Sequence, residues 1–181
     1  MGVKIRDTLT ADGKRLEKTL RELGMLEVRV GIQGMESNGK GEYDGKKIYA
    51  KGGIRTKKGK KRKVVDSEVD LVDIAMYNEL GTARAPSRPF LRDSVDANGD
   101  KINAFLQTRK KKILQGESAE ETLKKIGAFQ KGLIQAQIRD GDFAPNAEAT
   151  IRKKKSATPL IDTGRMRQSV NFVIQPKGGP D

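Results

Sequence analysis

The sequence predicts an α+β fold, in which several amphipathic helices accompany a few short strands. Residues 26–32 alternate strictly between apolar side chains and polar or small ones, which is the period of a strand with one buried face and one wet face. Residues 10–23, 101–114 and 118–139 carry apolar side chains at the spacing of a helix. A further strand is predicted at residues 170–174. Together these observations indicate helices packed around a small amount of sheet.

The first predicted helix covers residues 10–23. Thr10 is placed to act as its N-cap, and Gly24 is placed to end it. Its apolar face is formed by four leucines that share one side of the helix: Leu9, Leu16, Leu20 and Leu23.

The central stretch, residues 74–91, predicts two helices joined by a rigid elbow, which we define as residues 81–89. The helix before it covers residues 70–80, with Leu71, Ile74, Ala75 and Asn78 along one side. Gly81 is placed to end that helix with a positive φ, and Pro89 is placed inside the next helix, where no amide partner is needed. We therefore expect the second helix to start at a fixed angle to the first.

The next helices are predicted at residues 89–95 and 101–114, with a break at residues 98–100 and an end at Gly116. Ser118 and Glu121 then have the spacing of a capping box, which opens a helix that runs to about residue 139. Gly127 and Gly132 lie inside this helix, where a glycine lowers stability by about 1 kcal/mol relative to alanine. We interpret them as candidate points of close backbone packing.

The last third of the chain predicts a short basic helix at residues 149–155 and an extended segment at residues 159–161. Asp162 or Thr163 is expected to cap a short helix over residues 165–169, which precedes the strand at residues 170–174. Residues 175–181 are expected to be a flexible tail. With 181 residues, the chain is predicted to form a single domain over residues 1–181.

Residues 34–66 differ in composition from the rest, because they are rich in glycine, lysine and arginine. They predict a long basic loop or hairpin insertion, with short strands at residues 48–50 and 63–65. One interpretation is a solvated loop. The other is contact with DNA phosphates, independent of sequence, or with an acidic protein surface. The candidate contact residues are Lys57, Lys58, Lys60, Lys61, Arg62 and Lys63.

Composition restricts the classes of function. The net charge is +13, which favours polyanionic partners such as nucleic acid or an acidic protein surface. The chain has no cysteine and no histidine, which excludes disulfides, thiolate zinc sites and imidazole as a general base. No apolar run has the length of a membrane span, and the first residues lack the apolar core of a signal peptide. We therefore expect a cytoplasm-like compartment and no membrane.

Three groups of residues are candidates for sites of chemistry. The carboxylates Asp66, Glu68, Asp70 and Asp73 could hold a cation, but acidic residues are also ordinary at the start of a helix. Asp162-Thr163-Gly164 resembles a catalytic aspartate turn, yet the chain has no second copy and the aspartate fits a helix cap. The lysines of residues 57–63 lack the strand-to-helix context of a phosphate-binding loop. We predict no enzyme, and no catalytic residue, cofactor or metal.

Two segments, residues 75–92 and residues 145–169, resemble the signatures of a family of minor virion proteins of tailed bacteriophages, the neck or tail-completion proteins, also called virion morphogenesis or minor tail proteins. The first segment reads AMYNELGT at residues 75–82 and continues as PSRPFLR at residues 86–92. The second has Pro145-Asn146, Thr150 and Lys154, followed by PLIDTGRMRQS at residues 159–169. The chain departs from the pattern at Leu80, where phenylalanine is common, and at Met166, where leucine is common. The insertion at residues 34–66 has no counterpart in the resemblance.

The resemblance implies a small α+β subunit with a mixed or antiparallel sheet flanked by helices. It also implies assembly into a ring, with six-fold symmetry favoured, at the head–tail junction of the virion. Such a ring, assembled in the host cytoplasm, would complete the tail end and join it to the capsid connector. Its partners would be the tail terminator, the tail tube or the head–tail connector, with non-specific contact to genomic DNA. The residues that would shape the fold or the subunit contact are Tyr77, Glu79, Gly81, Thr82, Arg88, Pro89, Phe90, Leu91, Pro159, Leu160, Asp162, Thr163 and Gly164.

Two other classes of function remain open from the sequence alone. The charge and the lysine run are compatible with a sequence-independent nucleic-acid-binding protein, whose DNA affinity would fall steeply as salt rises. A hydrolase would have to rely on scattered carboxylates. Exchange of single carboxylates for amides, with no activity lost, would exclude it.

Overall fold

A computed structural model describes residues 9–32, 71–154, 158–161 and 164–178. The predicted basic insertion, including its two short strands, lies outside these residues. No helix in the described ranges is both long enough and apolar enough to cross a membrane.

The described residues form seven helices and one two-stranded sheet, which confirms the α+β fold. In chain order the elements are α1 (Ala11–Met25), β1 (Leu26–Ile32), α2 (Leu71–Leu80), α3 (Phe90–Asp96), α4 (Gly99–Leu114), α5 (Ala119–Asp140), α6 (Glu148–Lys154), α7 (Arg165–Ser169) and β2 (Val170–Pro176).

The chain forms two compact units, each built from non-contiguous segments. Unit 1 comprises Met1–Gly31, Leu91–Gln137 and Asn171–Asp181. Unit 2 comprises Ile32–Phe90 and Ile138–Val170. The prediction of one domain over residues 1–181 stays a prediction.

The sheet pairs β1 with β2 in antiparallel orientation. The backbone N–H of Lys177 donates to the carbonyl of Met25 at 2.7 Å, and Gln175 Nε2 donates to Glu27 Oε1 at 3.1 Å. Gln175 therefore belongs to a strand, and the expected flexible tail at residues 175–181 is wrong for residues 175 and 176. Residues 179–181 lie outside the described part.

The predicted alternation of buried and wet positions along β1 is wrong, because all seven residues of the strand are half-buried. The polar side chains of Glu27 and Arg29 pair with each other and stay 27% and 40% exposed. Arg29 Nε donates to Glu27 Oε1 at 2.8 Å, and Gln175 donates to the same oxygen.

The start of α1 is as predicted, but its end and its buried face are not. The Thr10 hydroxyl accepts a hydrogen bond from Gly13 N at 3.2 Å, which confirms the N-cap. Gly24 does not end the helix, because α1 continues to Met25 and passes directly into β1. The buried residue of α1 is Thr19, whereas Leu9 and Leu20 are 51% and 54% exposed. The predicted leucine face is thus only partly covered.

The remaining helices differ from prediction mainly at their first residues. α3 begins at Phe90 rather than at Pro89, and α4 begins at Gly99, so the break falls one residue earlier than predicted. The Ser118 hydroxyl accepts a hydrogen bond from Glu121 N at 3.2 Å, which confirms the predicted cap of α5. α6 lies within one residue of its predicted bounds, and the bounds of α7 are as predicted.

Within unit 1, α5 packs on the sheet at Gly127. A Cβ atom added to this buried glycine would lie 2.5 Å from Cδ2 of Phe172 on β2 and 3.0 Å from Cγ2 of Val28 on β1. Real Cβ atoms do not approach other carbons this closely, so no larger residue fits without displacing the ring. Gly132, by contrast, would place a Cβ in open space. The predicted close packing is therefore present at Gly127 and absent at Gly132.

We expect the same substitution to have opposite effects at these two glycines. Gly127→Ala should lower the free energy of unfolding by about 1–3 kcal/mol, because overpacking against Phe172 outweighs the helix propensity of alanine. Gly132→Ala is the matched control and should raise it by about 0.5–1 kcal/mol. Urea unfolding followed by circular dichroism measures both changes, and a stabilised Gly127→Ala variant would contradict the packing described here.

A buried carboxylate joins α4 to α5 in unit 1. The Glu117 side chain, 7% exposed, accepts hydrogen bonds from Arg109 Nη1 at 3.0 Å, Lys125 Nζ at 2.6 Å and Thr122 Oγ1 at 3.1 Å. The guanidinium of Arg109 also lies 5.3 Å from the ring centroid of Phe105, a cation–π distance. Burial alone would raise the pKa of Glu117. The hydrogen bonds and the two cations outweigh it, and the pKa lies below its ordinary 4.5.

This depressed pKa predicts how stability depends on pH. The ionised Glu117 contributes stability that is fully present above its unfolded-state pKa and is lost as the pH falls through the folded-state pKa, which is below 4.5. Glu117→Gln should therefore lower the free energy of unfolding by about 2–4 kcal/mol at pH 7, and the deficit should shrink as the pH falls through the depressed folded-state pKa of Glu117. Glu148→Gln, at a side chain 92% exposed, is the control and should show little change. A deficit independent of pH would contradict this assignment.

Candidate functional site

The elbow between α2 and α3 is held by a glycine in a left-handed conformation. Gly81 has φ of 78°, and a Cβ at this position would lie 2.8 Å from the backbone N of Ser87. Two constraints therefore favour glycine here, the positive φ and the close approach of the chain to itself. The Ser87 hydroxyl donates to the carbonyl of Glu79 at 2.7 Å, which ties the far side of the elbow to the last turn of α2.

Inside the elbow, Thr82 forms a tight turn with Ala85. The backbone N–H of Thr82 donates to the carbonyl of Ala85 at 2.9 Å, and the return bond is 3.3 Å long. The Thr82 hydroxyl also accepts from the backbone N–H groups of Arg84 and Ala85, at 3.2 and 3.0 Å. The backbone polar groups of this exposed turn are thus paired within the turn itself.

Arg88 is the buried cation of the elbow, with 7% of its surface exposed. Nε donates to the carbonyl of Ala144 at 2.8 Å, and Nη2 donates to the carbonyl of Pro145 at 3.1 Å. Nη1 lies 3.5 Å from Oδ1 of Asn78. These acceptors are all uncharged oxygens, and burial lowers the pKa of Arg88 from its ordinary value. The planar guanidinium therefore joins the elbow to the segment that precedes α6.

Asn78 is a second residue on which the elbow depends. Its Nδ2 donates to the carbonyl of Ile74 at 2.7 Å, and its backbone carbonyl accepts from Arg88 N at 2.6 Å. The spacing in the sequence places Asn78 on the inner side of its helix but indicates no role for it. The sequence nevertheless contained a signal for this role. Asparagine is a poor helix former, and on the inner side of a helix it requires a polar partner.

The residues that accept from Arg88 include Pro145, which begins the second resemblance segment. Asn146 Nδ2 lies 3.5 Å from the carbonyls of both Thr158 and Pro159, at the outer limit of hydrogen-bonding distance. Arg88, residues 144–146 and Pro159 all belong to unit 2. Arg88 of the first resemblance segment is therefore linked directly to Pro145, which belongs to the second, and Asn146 links the two parts of the second segment.

The apolar signature residues of unit 2 are buried. Phe90 has no exposed surface, and Leu160 is 6% exposed. Met166 of α7 and Val170 are buried as well, so both segments contribute to one core. Gly164 has φ of 76° and occupies the N-cap position of α7 without a side-chain cap. Asp162 and Thr163, expected to supply that cap, lie outside the described residues.

Burial divides the remaining signature residues into inward and outward groups. Glu79 and Pro89 are half-buried, as is Leu91, which lies in α3 and belongs to unit 1. Tyr77, in contrast, is 47% exposed. Among the signature residues that the structure describes, most are therefore structural, while Tyr77 and Thr82 face solvent.

The other predicted sites are only partly within the described chain. The candidate DNA-contact residues Lys57, Lys58, Lys60, Lys61, Arg62 and Lys63 lie outside it, as do three of the four carboxylates considered for a cation. Asp73 is the fourth, on α2. In the described ranges, no group of three or more acidic, histidine or cysteine side chains is arranged to hold a metal ion.

Comparisons with protein-family models, with curated proteins and with solved structures gave no match to this chain.

The geometry at Arg88 predicts that lysine cannot replace it. One ammonium group cannot reach both carbonyls with the spacing of the guanidinium fork, so at least one buried acceptor would be left without its donor. Arg88→Lys should lower the free energy of unfolding by about 1–3 kcal/mol, measured by urea denaturation. Arg84→Lys makes the same exchange at an exposed position of the same elbow and should change it by less than about 0.5 kcal/mol. Equal effects of the two exchanges would contradict the role given to Arg88.

Proposed function

We propose that this chain is a structural virion protein of a tailed bacteriophage, a neck or tail-completion subunit. It forms a ring at the head–tail junction, completes the tail end and joins it to the capsid connector. In this role the protein works by shape and contact rather than by catalysis.

One observation carries the proposal. The two segments that resemble the family signatures lie far apart in the sequence, yet they are linked within unit 2 through Arg88, residues 144–146 and Pro159. A chance resemblance of two short segments would give no reason for their residues to be joined by hydrogen bonds. The linkage supports the interpretation that they form one inherited structural element.

The nature of the site is also suited to assembly. The elbow residues Gly81, Ser87 and Arg88 fix the path of the chain after α2 by steric contact and hydrogen bonds. A ring closes only if each subunit presents its contact surfaces at the correct rotation, so a subunit gains from rigid geometry of this kind. The resemblance favours six-fold symmetry and names the partners as the tail terminator, the tail tube or the connector.

The net charge of +13 favours one alternative, a sequence-independent nucleic-acid-binding protein. The two functions are compatible in part, because a ring at the junction surrounds the path of the genome. They differ in the binding expected without DNA, because a ring subunit must still bind another protein.

The proposal is tested by the oligomeric mass of the purified chain, measured by light scattering with and without purified tail tubes. We expect either a discrete ring, a whole-number multiple of the 19.9 kDa protomer, or a monomer that becomes ring-shaped density at one end of the tubes in electron microscopy. Tubes with that end already occupied by their natural terminator are the control and should not bind.

A monomer that ignores tail tubes would contradict the proposal. If that monomer also retards DNA of any sequence at low salt and releases it steeply as salt rises, the nucleic-acid-binding function replaces it.

A further inference from the structure

The outward side of α2 is apolar, which is unusual for a surface helix. Ala75 is the buried residue of this helix, while Met76, Tyr77 and Leu80 are 46%, 47% and 66% exposed. Asp73 shares their side, because residues 73, 76, 77 and 80 follow the i, i+3, i+4, i+7 spacing of one helix face. A helix that is apolar on both sides is normally covered on both sides.

The size of this face is that of an interface centre. Its three apolar side chains expose on the order of 300 Å², which is the range of the largest patch on a typical monomer and often marks an interaction site. A standard interface buries about 800 Å² on each partner, with apolar residues at the centre and polar residues at the rim. The α2 face would form such a centre.

The charge of α2 differs from that of its surroundings. Among the seven described helices, α2 alone contains no lysine or arginine, and its charged residues are Asp73 and Glu79. The whole chain carries a net charge of +13. The face itself carries one acidic side chain, the half-buried Asp73, and no cation, so a basic surface of the same protein would be complementary to it.

We propose that the α2 face (Asp73, Met76, Tyr77 and Leu80) is a contact surface for a second copy of this chain, which binds it head to tail through a basic surface. That the partner is a second copy of this chain rests on the proposed ring function. The apolar character of the face is observed independently of that function.

The charges decide between the two ways in which identical subunits pair. In a two-fold contact, α2 would meet α2, and neither copy would offer a cation to Asp73 of the other. In a head-to-tail contact, α2 meets a different surface, which on a chain of +13 supplies the opposite charge. Head-to-tail contacts are the kind that close into rings.

The first test changes the face without changing the core. Leu80→Lys places a cation on an exposed apolar position, so folding should be retained, as circular dichroism and the urea midpoint will show. Self-association, measured by light scattering over a range of concentrations, should weaken by about 10- to 100-fold. Leu20→Lys, at a leucine of α1 with similar exposure, is the matched control and should leave the mass unchanged.

The second test locates the occupant. The chain has no cysteine, so Met76→Cys creates a single thiol that can carry a benzophenone label. Illumination should join the label to a second copy, and peptide mapping should find the attachment on a surface other than α2. Attachment within the same chain, or a disulfide dimer that forms readily between the introduced thiols of two unlabelled copies, would overturn the head-to-tail contact.

The outcomes separate this inference from the proposed function. If Leu80→Lys abolishes self-association but no oligomer binds tail tubes, the contact stands and the neck function fails. If rings form on tail tubes with Leu80→Lys as they do with the wild-type chain, the neck function stands and the contact is wrong. A wild-type chain that stays monomeric both in solution and on tubes overturns both.

Discussion

The buried guanidinium of Arg88 is the constraint on which the organisation of unit 2 depends. A cation removed from water must find acceptors in fixed positions, and here they are the carbonyls of Ala144 and Pro145 and the amide oxygen of Asn78. The end of α2, the elbow and the segment before α6 therefore cannot shift independently. The positive φ of Gly81 permits the turn, while the hydrogen bonds of Arg88 fix the direction of the chain after it.

Unit 1 is held by a different device, the close approach of a helix to a narrow sheet. Two strands offer little surface, so α5 must lie near the backbone to bury the ring of Phe172, and Gly127 makes that approach sterically possible. The Glu117 cluster then fixes the turn that leads into α5. Each unit therefore has two such features. One is a glycine that permits close packing, and the other is a buried charged side chain that fixes a connection between segments.

Local signals in the sequence predicted most elements, because caps and apolar spacing act within a few residues. Thr10 and Ser118 cap the helices that they were expected to cap. The prediction that Gly24 ends α1 was wrong, because a glycine ends a helix only where the chain turns, and here α1 passes directly into β1. The resemblance implied that Arg88 shapes the fold or the subunit contact, but no local pattern could identify its acceptors, because they lie 56 and 57 residues further along the chain. Burial along β1 likewise depended on Gln175, which no local pattern could place beside Glu27.

The pairing of β1 with β2 has a consequence for biosynthesis. Glu27 and its neighbour Gln175 are separated by 148 residues, so the sheet cannot form until almost all of that length has left the ribosome. At about 5–20 residues per second, α5 waits for several seconds or more without the ring of Phe172 against it. Nascent chains on one messenger would carry uncovered apolar helices side by side during that interval. The emergence of β2 from the ribosome, rather than the synthesis of any single helix, then marks the time from which the sheet can be completed.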